Sequence, residues 1–329
     1  MNKDKFNPDL IANADLNFSE IERGSLWDIE RGSLWLGQRE RKLIADAMEL
    51  EIEQAKSAGA TGYIAHFLAQ ATLPHTDPKT SYFERGTEKL TLSITANPKY
   101  GVPYGGLPRL LLAWMCTEAV KTGSPELSMG RSQREFLEKL DLHNGGNYIN
   151  RVKDQSLRLV RSLISVSGES GAGLGIENIL IAKRAFIFWN QKNTDQPGLW
   201  DSSLTLSTDF FEALTRAPVP IRMEALQALK KSPLAMDIYT WLVYRMFTLN
   251  VSSVHGGRGK TEIPWSGLML QLGANYADSP QGLRDFKKAF RARLKEVLLF
   301  YPEAAAHIEE TSEHLILTPA RLHIPKQRR

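Results

Sequence analysis

The sequence has one cysteine in 329 residues, Cys116, so it can form no internal disulfide. Cys116 lies in an apolar stretch and reads as a core thiol, and the chain fits a reducing compartment. No run of eighteen apolar residues occurs, which excludes an ordinary membrane-spanning helix. The N-terminus, MNKDKFNPDL, lacks the apolar core of a secretory signal. The expectation is a cytoplasmic protein with no membrane partner. The seven histidines, His66, His75, His143, His255, His307, His314 and His323, are scattered, and no two stand at metal-ligand spacing within a helix. A DNA-nicking enzyme would want such a pair beside its tyrosine nucleophile. GGRGKTE, 256–262, resembles a phosphate-binding loop, but Val254 stands where the first glycine belongs. Ile263 and Pro264 follow where a long helix should begin. The sequence therefore offers no catalytic residue, metal site or cofactor site, and a DNA-processing enzyme is the weakest of the alternatives.

What is present suffices for about two domains, since 42% of the residues are hydrophobic. Charge is unevenly placed. Residues 1–56 hold eight Lys and Arg against twelve Asp and Glu, a net of −4; with +4 overall, the rest carries +8. A basic body behind an acidic head favours a polyanionic partner. The head also repeats the heptapeptide IERGSLW at 21–27 and 29–35, and its two tryptophans, Trp27 and Trp35, could anchor it or sit in a tolerant tail. A charged amphipathic helix is expected over 39–62, ended by Gly59 or Gly62.

Beyond Pro78, alternating Leu90, Leu92 and Ile94 predict a strand over 89–97. GVPYGG, 101–106, then makes a stiff bend before a helix that starts near Leu107 and is apolar almost all round. Pro103 and Pro108 preset the backbone and Gly101, Gly105 and Gly106 permit close approach, so this bend reads as scaffold. A strand at 126–130 follows, then a short helix at 132–142 with Ser132 and Glu135 at capping-box spacing. A longer helix is expected over 148–163, then two strands within 164–189 joined at the glycine-rich tip 167–173, the expected wing. That order is the order of a winged helix. The chain then nearly repeats it: a strand and helix from 202, an apolar helix at 232–249, a short strand, a helix over Trp265–Leu272, a turn at Gly273–Ser279, a long basic helix at 282–298, and late strands within 314–324.

On a helical wheel of about 100° per residue, Phe286, Phe290, Leu283, Leu294 and Val297 of the basic helix share one stripe. Arg284, Lys287, Lys288, Arg291 and Lys295 form a second stripe beside it, while Arg293 falls near the apolar side. A helix edged by five cations fits the DNA major groove, where arginines reach guanine edges and lysines meet phosphates. The helix at 148–163 is less basic, with Arg151, Lys153, Arg158 and Arg161, and could touch DNA or serve self-association. Arg258 and Lys260 are expected to form a basic loop near the DNA.

The block GVPYGGLPRLLLAWMCTEAVKTGSPELSMGRSQREFLEKLDLHNGG, 101–146, resembles the plasmid-encoded RepA replication initiators of Gram-negative bacteria. The resemblance continues through RVKDQSLRLVRSLI and returns at SPLAMDIYTWLVYRMF, IPWSGLMLQLG and LRDFKKAFRARLKEVLLFYP, covering most of 82–324. It implies a mixed α/β, predominantly helical fold of tandem winged-helix (helix-turn-helix) domains. The expected division is an acidic, partly helical extension over 1–80, a first winged helix over 81–195 and a second over 196–329. It implies binding to double-stranded DNA at repeated origin sites, preparation of the origin for opening, and recruitment of a host initiator and the replicative helicase. It also implies a homodimer as a second state, and no catalytic step. On this pattern Arg284, Lys287, Lys288, Arg291 and Lys295 lie on origin DNA, with Arg151, Lys153, Arg158 and Arg161 near it. The rival from another class is a winged-helix transcriptional repressor, which would bind one palindrome and never open DNA. The duplicated IERGSLW is no part of the pattern.

Overall fold

A computed structural model describes residues 62–65, 69, 72–87, 90–142, 146–170, 173–186, 202–216, 218–254 and 259–324. The IERGSLW repeats and the helix expected over 39–62 lie outside the described residues, apart from Gly62. The described chain opens with strand β1 (Gly62–Ala65) and the hairpin β2 (Tyr82–Thr87) and β3 (Leu90–Thr95). Helix α1 (Gly106–Thr122) follows, then β4 (Glu126–Gly130), α2 (Gln133–Lys139) and α3 (Gly146–Val160). Next come β5 (Leu163–Ser170), β6 (Gly173–Leu180), β7 (Ala182–Phe186), β8 (Ser202–Leu206), α4 (Thr208–Arg216) and β9 (Pro218–Ile221). The last part holds α5 (Met223–Ala228), α6 (Pro233–Val254), β10 (Thr261–Pro264), α7 (Trp265–Leu272) and α8 (Pro280–Leu298). A 3₁₀ turn (Pro302–His307), β11 (Ile308–Glu310) and β12 (His314–Leu317) end it. Helix outweighs strand, so the fold is mixed α/β and mostly helical.

Two apolar helices organise the core. On α1, Leu110, Leu111, Leu112, Trp114, Met115 and Cys116 are all buried, as a helix apolar on every side must be. Burial pushes the Cys116 thiol up, and the group behaves as a core residue. Helix α6 buries Ile238, Tyr239, Trp241 and Leu242 and packs on α1, α7 and α8. Each fully buried side chain of this kind contributes about 1.5–3 kcal/mol. Short local devices set the boundaries. Ser132 caps α2 by accepting from the Glu135 N–H at 3.1 Å. The Glu135 carboxylate returns to the N–H of Arg131, one residue outside the usual capping box.

The bend before α1 joins the two halves of the chain. Gly101 and Gly105 have φ of 78° and 81°, where glycine is favoured. The Gly105 N–H donates to the Pro74 carbonyl at 3.0 Å. At Gly106 a Cβ would stand 2.3 Å from the carbonyl oxygen of Lys230, so the second half presses directly on this glycine.

Strand pairing departs from the order expected for the first wing. The glycine-rich tip expected as the first wing joins β5 to β6, and these strands belong to an antiparallel sheet of order β2-β3-β5-β6. Strand β4, which leads into α2 and α3, pairs instead with β8 in a sheet of order β4-β8-β7. The hairpin that closes this helix-turn-helix is therefore β7–β8. Residues 195 and 196, at the expected division, lie in the chain between β7 and β8, whose strands pair from Ala182↔Leu206 to Phe186↔Ser203. Finally, β1 and β9 form a two-stranded sheet that pairs Gly62 with Ile221. Pro218 and Pro220 hide β9 from a strand reading, yet a strand with one free edge tolerates them.

Candidate nucleic-acid interface

Helices α7 and α8 meet through a tight turn that only small residues allow. A Cβ on Gly273 would stand 2.6 Å from the Met269 carbonyl oxygen, and one on Gly282 would stand 2.0 Å from that of Ala277. Ser279 caps α8 by accepting from the Gly282 N–H at 3.0 Å, and Pro280 occupies the first turn. The inner face of α8 is Phe286, Phe290, Leu294 and Val297, all buried. Phe290 meets Trp265 edge-on at 5.4 Å and Trp241 at 6.3 Å, and Phe286 meets Tyr276 at 5.5 Å. Such aromatic pairs add about 0.5–1.5 kcal/mol each beyond their burial. The helix is thus held rigidly while its opposite face stays open. A three-stranded sheet of order β10-β12-β11 closes the unit, with β11–β12 as the hairpin after α8.

The five cations of the basic stripe on α8 divide into two sets. Arg284, Lys288 and Lys295 are exposed on the outer face. Among the described residues, Lys288 and Lys295 have no ion-pair partner. Lys287 and Arg291 turn toward the hairpin. The Lys287 ammonium donates to the Ser312 carbonyl at 2.6 Å, and Arg291 Nε pairs with Glu310 at 2.6 Å. Both cations lie over the Trp265 ring, at 5.4 and 5.5 Å, and the Trp265 indole N–H donates to Thr311 at 3.2 Å. Arg293 is half-buried, as its place on the wheel predicts, and pairs with Glu296 at 2.7 Å. Lys260 is exposed and paired with Glu262 at 2.8 Å; that hydrogen bond holds the ammonium's pKa above its usual value. Arg258 lies outside the described residues.

The cations of the first unit are more dispersed. Arg151 and Arg161 are exposed, over Tyr148 at 5.8 Å and Tyr100 at 4.6 Å, and Lys153 is half-buried. Arg158 is bound into the fold. Its side chain is 14% exposed, pairs with Asp154 at 3.0 Å and Asp77 at 3.7 Å, and donates to the Val102 carbonyl at 3.2 Å. It braces the bend at 101–106.

A buried charge network went unread in the sequence. Arg109 of α1 grips Asp237 of α6 through Nε–Oδ1 at 2.6 Å and Nη2–Oδ2 at 2.7 Å. His75 Nε2 lies 2.9 Å from the same carboxylate. The guanidinium also donates to the carbonyls of Leu73 and Gly105, each at 2.7 Å. Burial pushes the Asp237 carboxyl up, but Arg109 and His75 outweigh it and hold it below the usual range. Burial pushes His75 down, against the pull of its bond to Asp237. The available signal was Arg109 and Asp237, each a single charge among the apolar residues of the first turns of α1 and α6. This network ties the halves together, and its polar groups face one another. Among the described residues no cluster of three or more His, Cys, Asp or Glu could hold a metal. No described helix is long and apolar enough to cross a membrane.

Residues 102–266 match the family model described as plasmid-encoded RepA protein, which is half of the chain. The chain belongs to the plasmid-encoded RepA family. Membership makes it a DNA-binding, replication-initiator-like protein, and the family is non-catalytic. The matched segment is narrower than the resemblance over 82–324, and it stops at the start of α7, so α8 lies outside it. No curated protein matches the chain. Two solved structures are similar to it at 13% identity. One, of domains 2 and 3 of RctB as selenomethionine derivatives, has a TM-score of 0.48 and covers 77% of this chain and 98% of its own. The other, of RctB domains 2–3, has a TM-score of 0.46 and covers 79% and 99%.

Proposed function

We propose that the chain initiates plasmid replication by binding repeated origin sites through two winged-helix units in tandem. The observation that carries this reading is the outer face of α8. It presents Arg284, Lys288 and Lys295 to solvent on a helix fixed by a helix-turn-helix and followed by a hairpin. The groove admits one such helix, and its phosphates and guanine edges suit these side chains. Lys287 and Arg291 chiefly fix the hairpin against α8. Arg151 and Arg161, with Lys153 beside them, are the contacts of the first unit, and Lys260 flanks the second. Arg158 belongs to the scaffold. The strand pairing favours a first unit that extends through β8 and a second that begins near α5. Binding would prepare the adjacent DNA for opening and bring in a host initiator and the replicative helicase.

Footprinting on the replicon that encodes the chain tests this reading, with permanganate to detect unpaired thymines. Protection of several directly repeated sites together with reactive thymines beside them is the expected result. Protection of one palindrome with no reactive thymine would make the chain a repressor instead.

A further inference from the structure

Three neighbouring side chains at the start of α8 form a network that no packing need explains. Arg284 donates from both Nε and Nη2 to the side-chain oxygen of Gln281, at 3.1 and 2.7 Å. The Gln281 amide nitrogen donates to Asp285 Oδ1 at 2.9 Å. All three residues are exposed. The chemistry fixes the direction of this relay. A guanidinium only donates and a carboxylate only accepts, so the Gln281 amide can face them in one sense alone.

A guanidinium has two bidentate edges. Gln281 occupies the edge made by Nε and Nη2, which leaves the edge made by Nη1 and Nη2 unengaged by the relay. That remaining edge carries parallel N–H donors, the pattern that guanine O6 and N7 accept together in the major groove. An exposed arginine on a free helix would sample many rotamers. Here the relay reduces that freedom before DNA arrives, so less entropy is lost on binding. Arg284 also sits in the first turns of α8, the part of such a helix that reaches base edges in helix-turn-helix complexes. Lys288 and Lys295 lie further along and have no such relay.

We infer that Arg284 reads a guanine in the origin repeat and that Gln281 and Asp285 are its positioning residues. This rests on the reading of α8 as the DNA-contacting helix. The test is selection from a pool of random duplexes by the full chain, in the wild type and in Arg284→Ala, Gln281→Ala and a Lys288→Ala, Lys295→Ala double variant. The wild type should enrich a site with one guanine that Arg284→Ala no longer requires, a loss of discrimination of about ten- to a hundredfold at that base pair. Gln281→Ala should weaken the same preference by a smaller factor, about three- to tenfold, and leave the salt dependence of binding unchanged. A helix-stabilising role alone would not move the preference at a single base. An unchanged guanine preference in both single variants, or a uniform loss over all bases in Gln281→Ala, overturns the inference and leaves DNA binding by α8 standing. No enriched sequence in the wild type, with no effect of the double variant, overturns the reading beneath it.

Discussion

At the scale of single residues, the buried charges carry the sharpest consequences. Asp237 has both carboxylate oxygens engaged and is held ionised by Arg109 and His75. Removing one partner strands the other in the core, so Arg109→Ala should lower stability by about 3–5 kcal/mol, read by chemical denaturation. The pH dependence follows from a second group. His323 is buried against Tyr239 at 3.0 Å, and burial pushes its pKa down to about 4. The folded state therefore prefers the neutral ring, while the unfolded chain takes up a proton near pH 6.5. His323 should make stability fall as pH drops from about 6.5 to 4, by as much as about 3 kcal/mol, and His75, also lowered by burial, adds to that slope. Denaturation midpoints measured across that range should show the slope, and His323→Gln should reduce it.

At the scale of elements, the bend at 101–106 and the hairpin after α8 each do more than their sequences disclose. Gly106→Ala places a methyl 2.3 Å from the backbone oxygen of Lys230, and backbone cannot swing aside as a side chain can. The variant should lose about 1–3 kcal/mol in thermal unfolding without altering the outer face of α8. On the hairpin, Glu310 holds Arg291 in an ion pair and, on the proposed reading of α8, competes with DNA phosphates for it. Glu310→Gln should bind DNA several-fold tighter, with a salt slope steeper by about one, while stability changes by less than about 1 kcal/mol because the pair is half-exposed. Titration at several salt concentrations measures both. The elements themselves were largely legible: α1 and α6 are apolar on all sides, and α7, its turn and α8 follow from capping and the wheel. What escaped was pairing. Nothing local in LISVSGES or SSLTL tells which strand joins β4, since partner choice is set by contacts distant in sequence. The division of the α8 cations was hidden for the same reason. Lys287 and Arg291 look like their neighbours until the hairpin folds back onto Trp265.

For the whole molecule, the two halves are interlocked. Strand β1 pairs with β9, β2 packs on α7, and Arg85 donates to the Met269 carbonyl at 2.7 Å. Burial lowers the Arg85 pKa to about 10, and the negative end of α7 offers its guanidinium a partner. A fragment ending at residue 195 loses β8, the partner of both β4 and β7. Expressed alone, 1–195 should fail to unfold cooperatively in calorimetry.

Contact between the outer face of α8 and DNA, as proposed, is tested most directly by one titration. Affinity for a duplex carrying the direct repeats of the parent replicon is measured against salt, for the wild type and for Lys288→Ala with Lys295→Ala. Both lysines are exposed and lack ion-pair partners among the described residues, so the variant should keep its fold. Weaker binding, with a salt slope shallower by about two, is the predicted result. The same affinity and the same slope in both proteins would mean that DNA, if bound, lies elsewhere.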